Sequence, residues 1–218
     1  MIAPRISWTD EPEDKAGFTR HYDREYTRFA RLYDLAVKHL PIWKRWISRA
    51  LPYLKGPRIF EASFGTGYLL SRYAHRFEVT GLDFNQAMVD IARQKLLQQG
   101  KPAGLVRGDV GWLPFRDECF DTVLCTMAFS GYPDGNQALY QMRRVLKPDG
   151  RLVMVDINFP QDRNRLGCTF TKLWEKGGDI IRDMDDLLTR HGFDYTKETI
   201  GGFGSVQIFV AVKSESLY

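Results

Sequence analysis

Ile59 to Asp83 reads I-F-E-A-S-F-G-T-G-Y-L-L-S-R-Y-A-H-R-F-E-V-T-G-L-D. A β-rich run, Arg58 to Ala62, enters a turn holding Gly65 and Gly67. A helical pattern follows, and a second β run from Glu78 to Leu82 ends on Asp83. This order is a βαβ unit with a nucleotide-type turn. Glycine at 65 and 67 lets the backbone turn tightly and a ligand come close, because no Cβ stands in the way. Asp83 lies 18 residues beyond Gly65, near the separation of about 20 at which such an acid meets a ribose hydroxyl pair. A dinucleotide fingerprint would need a third glycine at position 70, which is leucine here, and this disfavours a nicotinamide-dependent oxidoreductase.

Working outward, Asn85 is a good N-cap for a helix carrying Met88, Ile91, Ala92 and Leu96, which Gly100 closes. A short strand near Leu105 to Arg107 leads into Gly108-Asp109-Val110. A loop then runs into the strongest strand, Thr122 to Met127. A helix with Ala138, Met142, Val145 and Leu146 ends at Lys147-Pro148-Asp149-Gly150, and Arg151 to Asp156 is the next strand. Gln161 to Gly178 reads as an insertion helix and Asp185 to His191 as a last helix. Phe193 to Ile200 and Val206 to Val212 read as an antiparallel pair joined through Gly201-Gly202-Phe203-Gly204. Seven strands with helices between the first five predict an α/β fold. It is a Rossmann-like, doubly wound, mostly parallel seven-stranded sheet with the last strand antiparallel and ligands at the strands' carboxyl ends.

Upstream, His21 to Leu40 is helical in pattern, and Pro41 opens a second helix with Trp43, Trp46, Ile47 and Ala50 on one stripe. Lys44, Arg45 and Arg49 occupy the other face. Two readings are open: a helix packed on the domain with a solvated basic face, or an interfacial helix at residues 41–51 with its tryptophans at an anionic headgroup boundary. Residues 1–17, acidic and proline-containing, are expected to form a poorly ordered tail; residues 18–55 a helical lid over the acceptor site; and 56–218 the main domain.

At 218 residues with 44% apolar content, the chain has enough core for one ordinary domain. No run is long enough to span a bilayer, and the acidic N-terminus lacks the apolar centre of a signal peptide. Three widely spaced cysteines, Cys119, Cys125 and Cys168, have no metal-site spacing. They read as reduced cytoplasmic thiols, and no metal is expected. A net charge of +4 permits contact with an anionic membrane surface or nucleic acid without demanding either.

The constellation resembles the class I S-adenosylmethionine (SAM) methyltransferases. Their motif I, acid-x-Gly-x-Gly-x-Gly, is matched by Glu61, Gly65 and Gly67, with Ser63 in place of the first glycine. Leu113-Pro114-Phe115 with Phe120-Asp121 resembles the segment before strand four of many small-molecule methyltransferases. Leu146-Lys147-Pro148-Asp149-Gly150-Arg151-Leu152 resembles their entry to strand five. Tyr33-Asp34 followed by the tryptophan-rich helix resembles the ubiquinone/menaquinone-biosynthesis and phosphatidylethanolamine methyltransferase group. Together these cover roughly residues 20–157. The resemblance implies transfer of a methyl group from SAM, leaving S-adenosylhomocysteine, by an in-line displacement that needs alignment more than acid–base help. It implies Glu61, Ser63, Gly65 and Gly67 around the amino-acid portion of SAM, and Asp83 on the ribose with Phe84 beside the adenine. It puts Asp109 and Val110 on the adenine edge and Met127 by the sulfonium.

An aromatic pocket from Tyr22, Tyr26, Tyr33, Trp43, Phe129 and Tyr132 would suit a small hydrophobic acceptor such as a quinone, a lipid or a natural product. His21, His39 and Asp34 are candidate bases, none decisive, so the catalytic residue stays unassigned. Two alternatives stand beside this reading. A nucleic-acid methyltransferase would want Asn/Asp-Pro-Pro-aromatic or Pro-Cys, whereas Cys125-Thr126-Met127-Ala128-Phe129-Ser130 follows strand four. A SAM-binding protein without activity is the other, because Ser63 departs from motif I. The expected location is the cytoplasm, with contact at the inner membrane face as the finer alternative.

Overall fold

The computed structural model describes residues 6–101 and 103–214, and of 31–38 the backbone alone. One seven-stranded sheet runs β3-β2-β1-β4-β5-β7-β6. Its strands are β1 (Arg58–Ala62), β2 (Glu78–Asp83), β3 (Gly104–Arg107), β4 (Phe120–Thr126), β5 (Leu146–Ile157), β6 (Phe193–Gly201) and β7 (Val206–Lys213). The first five pair in parallel, and β7 runs antiparallel between β5 and β6. This is the expected mostly parallel sheet with its last strand reversed. The expected glycine joint also holds: Gly202–Gly204 form a single 3₁₀ turn between β6 and β7.

Side-chain alternation divides the core in two. Phe60, Leu82, Val123, Leu152 and Met154 face one layer; Ile59, Val79, Leu124, Val153 and Val155 face the other. Successive residues of a strand point to opposite faces, and burial of both faces explains why these strands are apolar throughout.

Helices α1 (Lys15–His39), α2 (Pro41–Ser48), α3 (Leu70–Tyr73), α4 (Gln86–Gln98), α5 (Gly135–Val145), α6 (Arg165–Lys176) and α7 (Met184–Arg190) flank the sheet. Five have side-chain caps, the first being Asp14, which accepts from the Gly17 N–H at the start of α1. Asn85 accepts from the Met88 N–H, Asp134 from Gln137, Asn164 from Gly167 and Asp183 from Asp186, each satisfying an orphan donor of a first turn. Besides shifts of a few residues at other element ends, three boundaries differ from the sequence pattern for a physical reason. Leu146 begins β5 instead of ending α5, because it pairs with Phe120. The helix after the glycine turn is only one turn long, since residues 63–77 must supply turn, helix and return. Helix α1 starts at Lys15. Ahead of it, residues 6–14 include Thr9, whose N–H donates to Ile181 O at 2.9 Å, and Glu11, which meets Arg182 at 3.2 Å.

The sheet changes winding direction between β1 and β4. In a doubly wound sheet the crevice at that point, beyond the strand carboxyl ends, is where ligands bind.

Candidate methyl-donor and acceptor site

A cavity of about 600 Å³ occupies that crevice. Its floor is the turn after β1. Ser63 sits there at φ 54° and Gly65 at φ 56°, in the left-handed region that a side chain enters at a cost of roughly 1–2 kcal/mol. Ser63 therefore adopts the conformation for which the usual glycine is favoured, and its hydroxyl accepts from Tyr132 Oη at 2.9 Å. Gly67 has a different task. It does not line the cavity, and a Cβ there would lie 2.8 Å from Cβ of Ala92. Gly67 lets the turn pack on α4.

Asp83, buried at the end of β2, holds the turn in place. One carboxylate oxygen accepts from Gly65 N–H at 2.8 Å and the other from Asn85 N–H at 3.0 Å. Burial pushes its pKa up to about 6, against the pull of those two donors. Each oxygen keeps a further lone pair for a ligand hydroxyl. Glu61, 1% exposed at the end of β1, accepts from Tyr73 Oη at 2.6 Å. Burial drives its pKa up to about 8, with the Tyr73 hydrogen bond opposing and the Asp83 charge adding. Asp109 lies beyond β3, its carboxylate accepting from Gly111 N–H at 2.8 Å. Met127 follows β4 at φ 52°, a second strained residue in the site.

The cavity wall includes Glu61, Ser63, Gly65, Asp83, Phe84, Asp109, Val110, Met127, Tyr22, Tyr26 and Tyr132. Of the residues expected there, Gly67 and Phe129 are missing. Phe129 is 2% exposed, edge-on to Tyr132 and beneath Arg182, because the 3₁₀ turn Phe129–Gly131 directs its ring into the core. The Tyr33 and Asp34 side chains lie outside the described residues. His21 and His39 are exposed and do not line the cavity.

The opposite wall combines α2 with α6. Trp43 stacks on Trp174 with ring centres 5.8 Å apart, and Trp46 meets Phe170 edge-on at 6.3 Å. Both tryptophans of α2 thus turn inward, and Trp46 is buried. Helix α1 is tied to the site by Asn85, whose amide donates to Asp23 Oδ1 and Thr27 Oγ1, both at 2.7 Å. Phe170, Trp174 and Asp179 are site residues that sequence reasoning missed. The aromatic pair at i, i+4 on α6 was the one signal available for the first two.

The charged residues among the described lining are Asp23, Glu61, Asp83, Asp109 and Asp179, all acidic; no Lys, Arg or His belongs to that lining. Lys44 Nζ stands outside it, 5.3 Å over the Tyr68 ring. A basin of carboxylates with backbone N–H groups at a glycine turn fits a ligand carrying a sulfonium, an ammonium and ribose hydroxyls. When bound, such a donor supplies an activated methyl group. Glu61, Ser63 and Gly65 would hold its amino-acid end, Asp83 its ribose, and Phe84, Asp109 and Val110 its base.

A family model described as a methyltransferase domain matches residues 60–154. A demethylmenaquinone methyltransferase of Thermus thermophilus is 36% identical over 197 residues, covering 86% of this chain and 88% of the relative. A phosphatidylethanolamine N-methyltransferase of Cereibacter sphaeroides is 34% identical over 147 residues, covering 66% and 71%. The solved structure of a SAM-dependent methyltransferase from Thermotoga maritima shares the fold, with TM-score 0.67 and 19% identity, covering 87% of this chain and 100% of that one. The glycine turn, the carboxylate-lined crevice at the winding reversal and these similarities agree, and the chain belongs to the methyltransferase-domain family as a SAM-dependent methyltransferase.

Proposed function

We propose that the methyl acceptor is a small hydrophobic molecule, quinone-like or lipid-like, that is uncharged or cationic where it meets the site. The observation that carries this is the far wall of the cavity. Tyr22, Tyr26, Trp43, Trp46, Phe170 and Trp174 line it, with Asp179 among them and no cation among the described lining. Aromatic faces and a carboxylate suit a ring or an amine and disfavour a phosphate or carboxylate on the reacting portion. The similarity to enzymes named for demethylmenaquinone and phosphatidylethanolamine supports the same class. Helices α1 and α2 serve as the lid over this acceptor. The test is transfer of label from methyl-labelled SAM into a host-cell extract split into organic and aqueous phases. Label in the organic phase is expected; label confined to the aqueous phase refutes the reading.

A second reading concerns access. Leu40 and Ile42, 48% and 47% exposed, also line the cavity, so its mouth opens beside an apolar rim at the joint of α1 and α2. With Trp43 and Trp46 turned inward, this rim, not the tryptophans, would meet a membrane surface at the inner face. No helix among the described residues is long and apolar enough to cross a membrane. Co-sedimentation with anionic vesicles at low salt is expected, and its absence removes the membrane reading.

A further inference from the structure

The acceptor wall contains a group of residues that the donor site does not use. Ser130, buried in the 3₁₀ turn after β4, places its hydroxyl oxygen 2.8 Å from Asp156 Oδ1 and 2.7 Å from Asp179 Oδ1. A hydroxyl has one proton to donate. It can bond to both carboxyl groups at once only if one of them brings a proton of its own. Asp156, buried at the end of β5, is the better supplied: its oxygens also accept from the N–H groups of Phe129 at 2.7 Å, Ser130 at 3.2 Å and Ile157 at 2.7 Å. Donors of that number favour the ionised form. The Asp179 carboxyl is hydrogen-bonded, among the described residues, by Ser130 alone, and Asp179 is the member of the trio that lines the cavity.

Asp179 is fixed from both sides. The next residue, Ile180, donates its N–H to Ser130 O at 2.7 Å, closing the segment onto the same turn. The preceding Gly178, at φ 104°, leaves room for Tyr22: a Cβ there would come 1.9 Å from the Tyr22 hydroxyl. The titratable groups facing Asp179 are Asp156 from β5 and Tyr22 from α1. Arg182 is turned to Glu11 and to the carbonyls of Phe129 and Tyr132.

We propose that Asp179 is the catalytic base of the acceptor site, with Ser130 and Asp156 as its positioning residues. This rests on the methyltransferase assignment and on the far wall being the acceptor site. In the transfer, an electron pair of the acceptor, a lone pair on a heteroatom or the π pair of an electron-rich ring, forms the new bond to the methyl carbon. The carbon–sulfur bond breaks with its electron pair left on sulfur, and the proton lost by the acceptor atom passes to the Asp179 carboxylate. Asp179 enters the step ionised, with the single Ser130 proton given to one carboxylate at a time; once Asp179 has taken up the acceptor's proton, Ser130 bridges a carboxylic acid and a carboxylate and all three groups are satisfied. Burial, reinforced by the Asp156 charge and opposed by the Ser130 hydroxyl, pushes the pKa of Asp179 up to about 6. A base in that range is largely free at neutral pH and still strong enough to take a proton.

The experiment compares the full chain with Asp179→Asn and Ser130→Ala, using methyl-labelled SAM, a host-cell extract as acceptor pool and total label incorporated as the readout across pH. The SAM dissociation constant is measured by calorimetry, and the aspartate carboxyl carbons are followed by ¹³C NMR. Asp179→Asn is expected to leave SAM affinity within about twofold and to lower turnover about a hundredfold or more, with the acid limb of the profile lost. One carboxyl titrating near pH 6 should disappear from its NMR titration. Ser130→Ala is expected to move the acid limb to higher pH, since the hydroxyl holds the Asp179 pKa down. Wild-type turnover in Asp179→Asn with the limb retained overturns the proposal, as does an equal loss of SAM binding. Should the wild-type chain put no label into the organic phase, the hydrophobic-acceptor reading fails. Asp179 is still judged by whatever label is incorporated, or, with none, by the carboxyl titration, whose absence overturns it.

Discussion

Replacing Glu61 by glutamine is expected to stabilise the protein while weakening its grip on SAM. Glu61 is 1% exposed and among the described residues its carboxyl is hydrogen-bonded by Tyr73 alone, so without SAM its ionised form is poorly solvated. Its pKa stands at about 8 against an ordinary 4.5. Below pH 4.5 the folded and unfolded chains both hold the proton, and Glu61 has no electrostatic cost. Between pH 4.5 and about 8 the unfolded chain has released a proton that the folded chain keeps. Stability therefore falls as pH rises through that window. Each pH unit inside it is worth about 1.4 kcal/mol, so by pH 7 the cost reaches about 3 kcal/mol. Glutamine has no proton to lose and can still accept from Tyr73. Asp83 is also pushed up by burial and its charge raises the Glu61 pKa, so removing the Glu61 carboxylate also eases the ionisation of Asp83, a change in the same direction. Urea unfolding at pH 5 and pH 8 without SAM is the assay. Glu61→Gln should gain little at pH 5 and about 4 kcal/mol at pH 8, a midpoint shift of about 2 M for an m-value of about 2 kcal/mol/M. Calorimetry should show SAM binding weakened about tenfold or more, the scale for losing a hydrogen bond to a charged group. Equal stability differences at the two pH values would refute the assignment of a buried, protonated Glu61.

Three further expectations follow from the same geometry. Asp83→Ala should weaken SAM binding by about 1.5–3 kcal/mol and, by orphaning the Gly65 and Asn85 N–H groups, lower the melting temperature as well; unchanged calorimetric affinity would overturn the ribose assignment. Gly67→Ala should destabilise by about 1–3 kcal/mol through overpacking against Ala92, read by urea denaturation, and Gly67→Ala with Ala92→Gly should recover part of the loss. SAM affinity should rise with pH between about 6 and 8, because Asp83 and Glu61 must release protons to face a cation; a flat calorimetric profile would contradict this.

Local pattern was enough for the part of the site that one βαβ unit builds. Glu61, Ser63, Gly65 and Asp83 fall within 23 residues of chain, and strand alternation together with the glycine turn fixes where each must stand relative to the others. The same holds for Asn85, whose capping role needs only the helix that follows it. Gly67 shows where pattern misleads: motif spacing puts it at the ligand, but its Cα faces Ala92 of α4, a contact made by helix packing.

The sequence by itself determined the mostly parallel sheet and the glycine turn after β1, because each depends on periodicity and on glycine conformations that act over a few residues; the class of donor came from the resemblance of its motifs to a family. Tertiary structure alone decided the aromatic wall proposed for the acceptor. Phe170 and Trp174 reach Trp46 and Trp43 across more than a hundred residues of chain, and Asp179 reaches Ser130 across 49. Whether Phe129 faces core or cavity depended on the backbone of one 3₁₀ turn. Such contacts are set by how helices close over a crevice, and residue spacing does not encode that distance. The physical reason is that the donor turn is held by hydrogen bonds between near neighbours, whereas the acceptor site is assembled from the burial of aromatic surface that comes together only once the chain has folded.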